Sequence, residues 1–235
     1  PGIDAIVHEN KAGSIVDNIE DWLSYCEKNN KKFAYNLKEA FYTVGALVTF
    51  GASFKVEYKR DGSVKKITSD FATDKGVKAA KMILKIMSSP AVIYTQDTAP
   101  GVADVAFTIN GAWALSPDSN GNQSKFAEAK IKTTTLPNAT VDEDTKHIRS
   151  FAGTKLYGVN PAKSNGKADR LNVLHGIANY LTSDDVQTAR FDASQQVPSS
   201  KAVSSLDKVK SNPAVGALAN QSADGVVQAN LPGNI

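Results

Sequence analysis

Along this chain the apolar residues switch repeatedly between a helical period and a strand period, and no other feature narrows the fold as much. Ile15, Ile19, Trp22, Leu23 and Cys26 recur at helical spacing, which predicts a helix over 15–29 stopped by Asn29-Asn30. Phe33-Ala34-Tyr35 predicts a short strand, and a second apolar segment runs from Glu39 to about Phe50, with Gly51 as its stop. Across 53–68 the alternation of Phe54, Val56 and Tyr58, the Asp61-Gly62 turn, and then Val64 and Ile67 predict a β-hairpin. A helix is expected over 73–88, with Ala72, Val77, Ala80, Ile83, Ile86 and Met87 on its inner side and Asp74 near its start, where a carboxylate suits the helix dipole.

The pattern continues to the end of the chain. A short apolar strand is expected over 104–109, ending at Asn110-Gly111-Ala112-Trp113. A short helix (123–130), a strand (131–136) closed by Pro137, a polar loop (138–149) and a strand (155–159) before Asn160-Pro161 come next. The helix expected over 166–181 carries Ala168, Leu171, Leu174, Ile177, Ala178 and Leu181 as its stripe, and Ser183 opens a further helical turn through Ala189. From 192 the chain is rich in Ser, Ala and Asn, with short helical stretches such as 213–219. Helices alternating with short strands define an α/β class, and no repeat of fixed period interrupts it.

Composition removes several function classes. A chain of 235 residues, 41% hydrophobic and 22% charged, can build a sizeable core. Its net charge of +3 is small, its lysines are interspersed with acids, and the tightest basic pair, Lys65-Lys66, sits on a hairpin edge; nucleic acid is not an expected partner. No apolar run reaches the ~18 residues that a membrane span needs. The chain opens at Pro1-Gly2 with no visible secretory signal, which leaves export open. The single cysteine, Cys26, rules out an internal disulfide. Cys26 and Trp22 both lie on the first helical stripe and read as core.

Enzyme signatures are missing. His8, His147 and His175 are isolated, and no His-Glu-x-x-His, clustered Cys, Gly-x-Ser-x-Gly or phosphate loop occurs. No catalytic residue, metal or cofactor is expected.

Four segments, in order, carry a resemblance. They are the helix of 15–29 with Trp22 near its middle, Tyr35-Asn36-Leu37-Lys38-Glu39-Ala40-Phe41-Tyr42-Thr43, Phe107-Thr108-Ile109-Asn110-Gly111-Ala112-Trp113-Ala114, and 174–185 with its Asn179-Tyr180-Leu181-Thr182-Ser183-Asp184 ending. Together they resemble the family-1 extracellular solute-binding proteins, those that bind maltose and maltodextrin above all, and the resemblance is collinear over nearly the whole chain. It departs in two places. The stretch before Asn110 lacks the family's Phe, with Gly101 five residues ahead of Ala106, and the acid–Pro–Tyr of the maltose binders reads Glu39-Ala40-Phe41.

The resemblance implies a two-lobe, periplasmic-binding-protein-like fold of type II, of which this chain holds mainly the C-terminal lobe. Residues 1–132 and 196–235 would belong to that lobe and 133–195 to the returning segment of the N-terminal lobe. A whole member would carry roughly a hundred further residues before this stretch and C-terminal helices after it. The implied activity is reversible binding of an oligosaccharide in the cleft between the lobes, with delivery to the membrane subunits of an ATP-driven ABC importer. The implied location is extracellular or periplasmic, with a lipid anchor as one route to the membrane.

A sugar offers hydroxyls for hydrogen bonds and an apolar C–H face for stacking, so its site needs acids or amides beside flat rings. Trp113, placed where a strand end turns sharply, fits the stacking role and equally fits a buried core residue. Glu39 is either an acceptor for sugar hydroxyls or a carboxylate at a helix start. Phe41 can stack or pack in the core, and Tyr42 is a candidate hydroxyl donor. Three alternatives stand beside the sugar binder: a binder of the same family for another solute, a glycoside-acting enzyme using Glu39, and an interaction module without a pocket.

Overall fold

A mixed sheet gathers strands from widely separated segments between residues 3 and 134. The computed structural model describes residues 3–8, 18–95, 104–116, 124–128, 131–153 and 155–227. In chain order its first elements are β1 (Ile3–His8), α1 (Ile19–Lys28), β2 (Lys32–Ala34) and α2 (Ala40–Leu47). The hairpin β3 (Phe54–Tyr58) and β4 (Val64–Ser69), helix α3 (Asp74–Met87), β5 (Val92–Ile93) and β6 (Val105–Gly111) follow. A 3-10 turn (Ala112–Leu115), α4 (Lys125–Glu128), β7 (Ile131–Thr134), β8 (Asn138–Val141), β9 (Asp144–His147) and β10 (Phe151–Ala152) come next. After a second 3-10 turn (Pro161–Ser164) the chain is helical: α5 (Ala168–Leu181), α6 (Asp184–Ser194), α7 (Lys201–Ser204), α8 (Asp207–Lys210) and α9 (Pro213–Ala223), then the short strand β11 (Val226–Val227).

Five strands form the main sheet in the order β5-β2-β6-β1-β7. Strand β2 runs parallel to β5 and β6, whereas β1 is antiparallel to both β6 and β7. Every residue of the central strand β6 is buried, as expected for a strand with neighbours on both sides and layers on both faces.

Helix α1 covers this sheet with the face that its sequence marks out. Ile19, Trp22, Leu23 and Cys26 are all buried. The Trp22 ring stacks on Phe107 of β6 at 4.6 Å and meets Phe33 of β2 edge-on at 5.5 Å. Each such side chain contributes about 1.5–3 kcal/mol by leaving water. Burial also pushes the Cys26 thiol up to about 12, with Glu27 adding to the shift, so the thiol stays protonated and unreactive.

The hairpin expected over 53–68 is present, with Gly62 of its turn at φ +83°. Helix α3 begins at Asp74 as expected. Its buried side differs from the expected one. Gly76, Ala79, Met82 and Ile86 face inward, while Val77 and Met87 are exposed. Ile86 is buried and Ile83 packs on the core as expected; the helix is apolar over more than half its circumference, so the sequence alone does not set which part turns in, and the core that receives Ala79, Met82 and Ile86 does.

Two further expectations are corrected. Residues 138–149 form the hairpin β8–β9, not a polar loop. Its turn, Asp142-Glu143, has φ of 49° and 65° without a glycine, which hides the hairpin signal in the sequence, while Ala139, Val141 and Ile148 are buried. No strand forms over 155–159; the short strand lies earlier, at β10, which pairs in parallel with β11. A strand needs a neighbour to take up its backbone groups, and among the described residues 155–159 has none. Helix α5 forms where expected, yet none of its residues is buried. Ile15, at the start of the first helical stripe, and 96–103, within the stretch where the family's Phe is missing, lie outside the described residues.

Candidate functional site

Strand β6 ends in Asn110-Gly111, and this end decides where Trp113 goes. Asn110 is buried, and its Oδ1 accepts a hydrogen bond from the Gly111 backbone N–H at 2.8 Å, which closes the turn into the 3-10 segment. The Trp113 ring then folds back over Gly111. A Cβ at Gly111 would overlap three atoms of that ring, so only glycine permits this placement. Trp113 keeps 40% of its surface exposed, a ring supported on one side and open on the other.

The second part of the site comes from the start of α2. The Glu39 carbonyl accepts from the backbone N–H groups of Tyr42 and Thr43, and the Thr43 hydroxyl donates to the Leu37 carbonyl at 2.6 Å. These bonds set the direction of the first turn of α2 and with it the Phe41 side chain. Phe41 is half-buried, with its ring centroid 6.2 Å from that of Trp113 and 6.3 Å from that of Phe151. Three aromatic rings from distant segments thus form one cluster with an open face.

The sequence-derived candidates fall into three positions. Phe41 and Trp113, 72 residues apart, are brought together. Tyr42 lies beneath them, only 4% exposed. Its ring packs edge-on against Phe41 at 5.6 Å, and its hydroxyl reaches Asn110 Oδ1 at 3.5 Å, the outer limit of a hydrogen bond. Tyr42 therefore supports the cluster from below. Glu39 is exposed just ahead of α2, where the Asn36 side-chain amide donates to its Oε2 at 3.3 Å.

Sequence reasoning missed Phe151. It stands on β10, in a segment whose neighbours in the chain are polar, and only the pairing of β10 with β11 and the packing on Phe41 mark it. The buried polar residue Gln221 was missed too, because a glutamine in an Ala-rich helix carries no sequence signal of burial. Among the described residues no group of three or more His, Cys, Asp or Glu side chains is placed to hold a metal ion, and no helix is long and apolar enough to cross a membrane.

Compared with known proteins by sequence, the chain matches no protein-family model and no curated protein significantly. Its structure does match. A ligand-free maltodextrin-binding protein of L. casei aligns with a TM-score of 0.74 at 17% identity, over 98% of this chain and 59% of that one. The maltose-maltodextrin-binding protein of Alicyclobacillus acidocaldarius aligns with a TM-score of 0.69 at 19% identity, over 98% of this chain and 60% of that one. The maltose/maltodextrin-binding domain of Bdellovibrio bacteriovorus, bound to maltotriose, gives a TM-score of 0.69 at 19% identity, over 97% of this chain and 59% of that one.

The fold is therefore that of the maltodextrin-binding proteins, the two-lobe periplasmic-binding-protein-like architecture. This chain spans about three fifths of the length of the structures it matches.

Proposed function

We propose that this chain is part of a carbohydrate-binding receptor that takes up a maltodextrin-like oligosaccharide by stacking and hydrogen bonding, with no covalent chemistry. The observation that carries the reading is the open aromatic face made by Trp113 and Phe41, with the Glu39 carboxylate two residues from Phe41. The rings would take the C–H face of a sugar, and Glu39 would accept its hydroxyls. That one of the aligned structures is bound to maltotriose supports the same ligand class.

In this reading the chain supplies one lobe and part of a second, and closure of the two around the sugar presents the complex to the membrane subunits of an ABC importer. The main sheet with α1–α4 and the helices α7–α9 would make up the first lobe, and α5 and α6 would belong to the returning part. The packing of the hairpin β8–β9 on α1 and α3 supports a crossing after His147 rather than at residue 133. The parent protein would be exported and held near its importer, free in a periplasm or by a lipid anchor.

Calorimetric titration with maltose, maltotriose and unrelated solutes tests the proposal. Binding of maltotriose that falls at least about tenfold in Trp113→Ala, with the ligand recovered intact, is the expected result. Uptake of a non-sugar solute alone, or sugar binding indifferent to Trp113, would overturn it.

A further inference from the structure

Gln221 is completely buried, and both the oxygen and the nitrogen of its carboxamide are hydrogen-bonded. Its Oε1 accepts from the Leu136 backbone N–H at 2.7 Å, just after β7, and its Nε2 donates to the Ile148 carbonyl at 3.0 Å, just after β9. One side chain thus joins the exit of the main sheet to the segment that leads into β10. The rest of the C-terminal end of α9 reinforces that grip. His147 Nδ1 lies 2.8 Å from Asp224 Oδ2, Arg149 Nε donates to the Asp224 carbonyl at 2.9 Å, and the Val226 N–H donates to the Ser150 carbonyl at 2.9 Å. Every residue from 147 to 150 is therefore tied to α9 or to the strand that follows it.

Two packing facts connect this grip to the aromatic cluster. The segment leads directly to Phe151, whose ring meets Phe41. It also lies so close beneath α2 that a Cβ at Gly45 would overlap the Arg149 carbonyl oxygen, and the Arg149 N–H donates to Thr49 Oγ1 at 3.2 Å. The helix carrying Phe41 and the strand carrying Phe151 thus rest on one another without slack. On its other side α9 packs against β1, β7 and the 3-10 turn that holds Trp113. Helix α9 is thus in contact with the segment that leads to Phe151 and with the turn that holds Trp113.

We infer that Gln221 is a positioning residue for ligand binding: by bridging Leu136 and Ile148 it fixes the spacing of Phe151 and Phe41 from Trp113. The inference rests on the carbohydrate-binding reading for its ligand, and on hydrogen-bond geometry alone for its mechanism. A glutamine suits the position because it presents an accepting oxygen and a donating NH2 from one neutral side chain, and the two backbone groups it meets are a donor and an acceptor. Gln221→Met keeps the volume and leaves both backbone groups without partners. Gln221→Glu keeps the acceptor for Leu136 and, held neutral by burial, can donate its O–H to the Ile148 carbonyl.

The test uses maltotriose titration together with acrylamide quenching of tryptophan fluorescence. Trp22 is fully buried and Trp113 is 40% exposed, so quenching in the folded protein reports on Trp113. Ile86→Ala, a core truncation on α3, serves as a control of comparable destabilisation. The expected result is about tenfold weaker binding in Gln221→Met, a smaller loss in Gln221→Glu, and altered quenching in both without ligand, while Ile86→Ala changes neither quantity. Gln221 variants that match Ile86→Ala in affinity and quenching would overturn the inference. If the unaltered protein takes up no sugar, the carbohydrate reading fails and the quenching comparison still decides the role of Gln221. If Gln221→Met does not fold, Gln221→Glu is read against the same control.

Discussion

Helices α1 and α5 show the same kind of sequence signal and different fates. In α1, ten residues long, Ile19, Trp22, Leu23 and Cys26 form a stripe that is buried against β2 and β6. In α5, fourteen residues long, Leu171, Leu174, Ile177 and Leu181 form a stripe that is only half-buried at Leu171, Leu174 and Leu181 and exposed at Ile177. Val173, Ile177 and Tyr180 are exposed, as are Leu156 and Tyr157 in the stretch before it. Periodicity tells which side of a helix is apolar; it does not tell whether this part of the molecule contains a surface to receive it. Around α1 the sheet provides that surface. Around α5, among the described residues, the main contacts are to the neighbouring 3-10 turn and to α6.

The comparison breaks most easily by truncation. Trp22→Ala should destabilise the protein by about 3–5 kcal/mol in urea unfolding, since it removes a stacked ring from a close-packed core. Ile177→Ala should shift stability by less than about 0.5 kcal/mol. If the two proved equal, α5 would be buried in solution and the contrast would disappear.

Ion pairing sharpens the contrast from the side of the sheet. Lys78 of α3 meets Asp144 of β9 at 2.9 Å, and Lys81 meets Asp142 at 2.6 Å, so the hairpin is pinned to the helix that it packs on. The hydrogen bond from Lys78, helped by Lys146, holds the Asp144 carboxyl below its ordinary value. An acid with a lowered value in the folded state stabilises fully above its ordinary value and loses that contribution as pH falls through the folded one. The same bond raises Lys78, whose share is complete below its ordinary value and is lost as pH rises through the folded one. Asp144→Asn should therefore lower the melting temperature modestly near neutral pH and by less at about pH 2, because the contribution is lost as pH falls through the lowered folded value. An equal effect at both values would mean that the charge plays no part. These groups are open to solvent, so the effect should also shrink with added salt.

A small effect is expected at Ser150. Its hydroxyl is buried without a hydrogen-bond partner, in the segment held between α2 and α9. Ser150→Ala removes an unpaired polar group and little volume, so stability should stay within about 1 kcal/mol of the unaltered protein or rise. A larger loss in thermal unfolding would show that the hydroxyl is satisfied in solution.

Much of the secondary structure was legible because it depends on local chemistry. The α1 stripe, the Asp61-Gly62 hairpin, the start of α3 and the Asn110-Gly111 turn each follow from side chains a few residues apart. The hairpin β8–β9 was not legible, since its turn takes positive φ at Asp142 and Glu143 without glycine, and tertiary contacts to α1 and α3 uphold it. The inward side of α3 was hidden by an excess of apolar residues. Of the candidate site, Trp113, Phe41 and Glu39 stood out as residue types at telling positions. Their mutual placement, the support from Tyr42, and the parts taken by Phe151 and Gln221 were not readable.

By itself, then, the sequence determined an α/β order of elements, the buried face of α1 and the turn that aims Trp113. Each of these is governed by steric and hydrogen-bonding preferences that act within a few residues. Only the tertiary structure decided that Phe41 and Phe151 stand beside Trp113, that Gln221 joins two distant segments, and that the stripe of α5 is only partly covered. Those outcomes depend on which surfaces meet, and the free energy of that meeting belongs to pairs of segments far apart in the chain rather than to either segment alone.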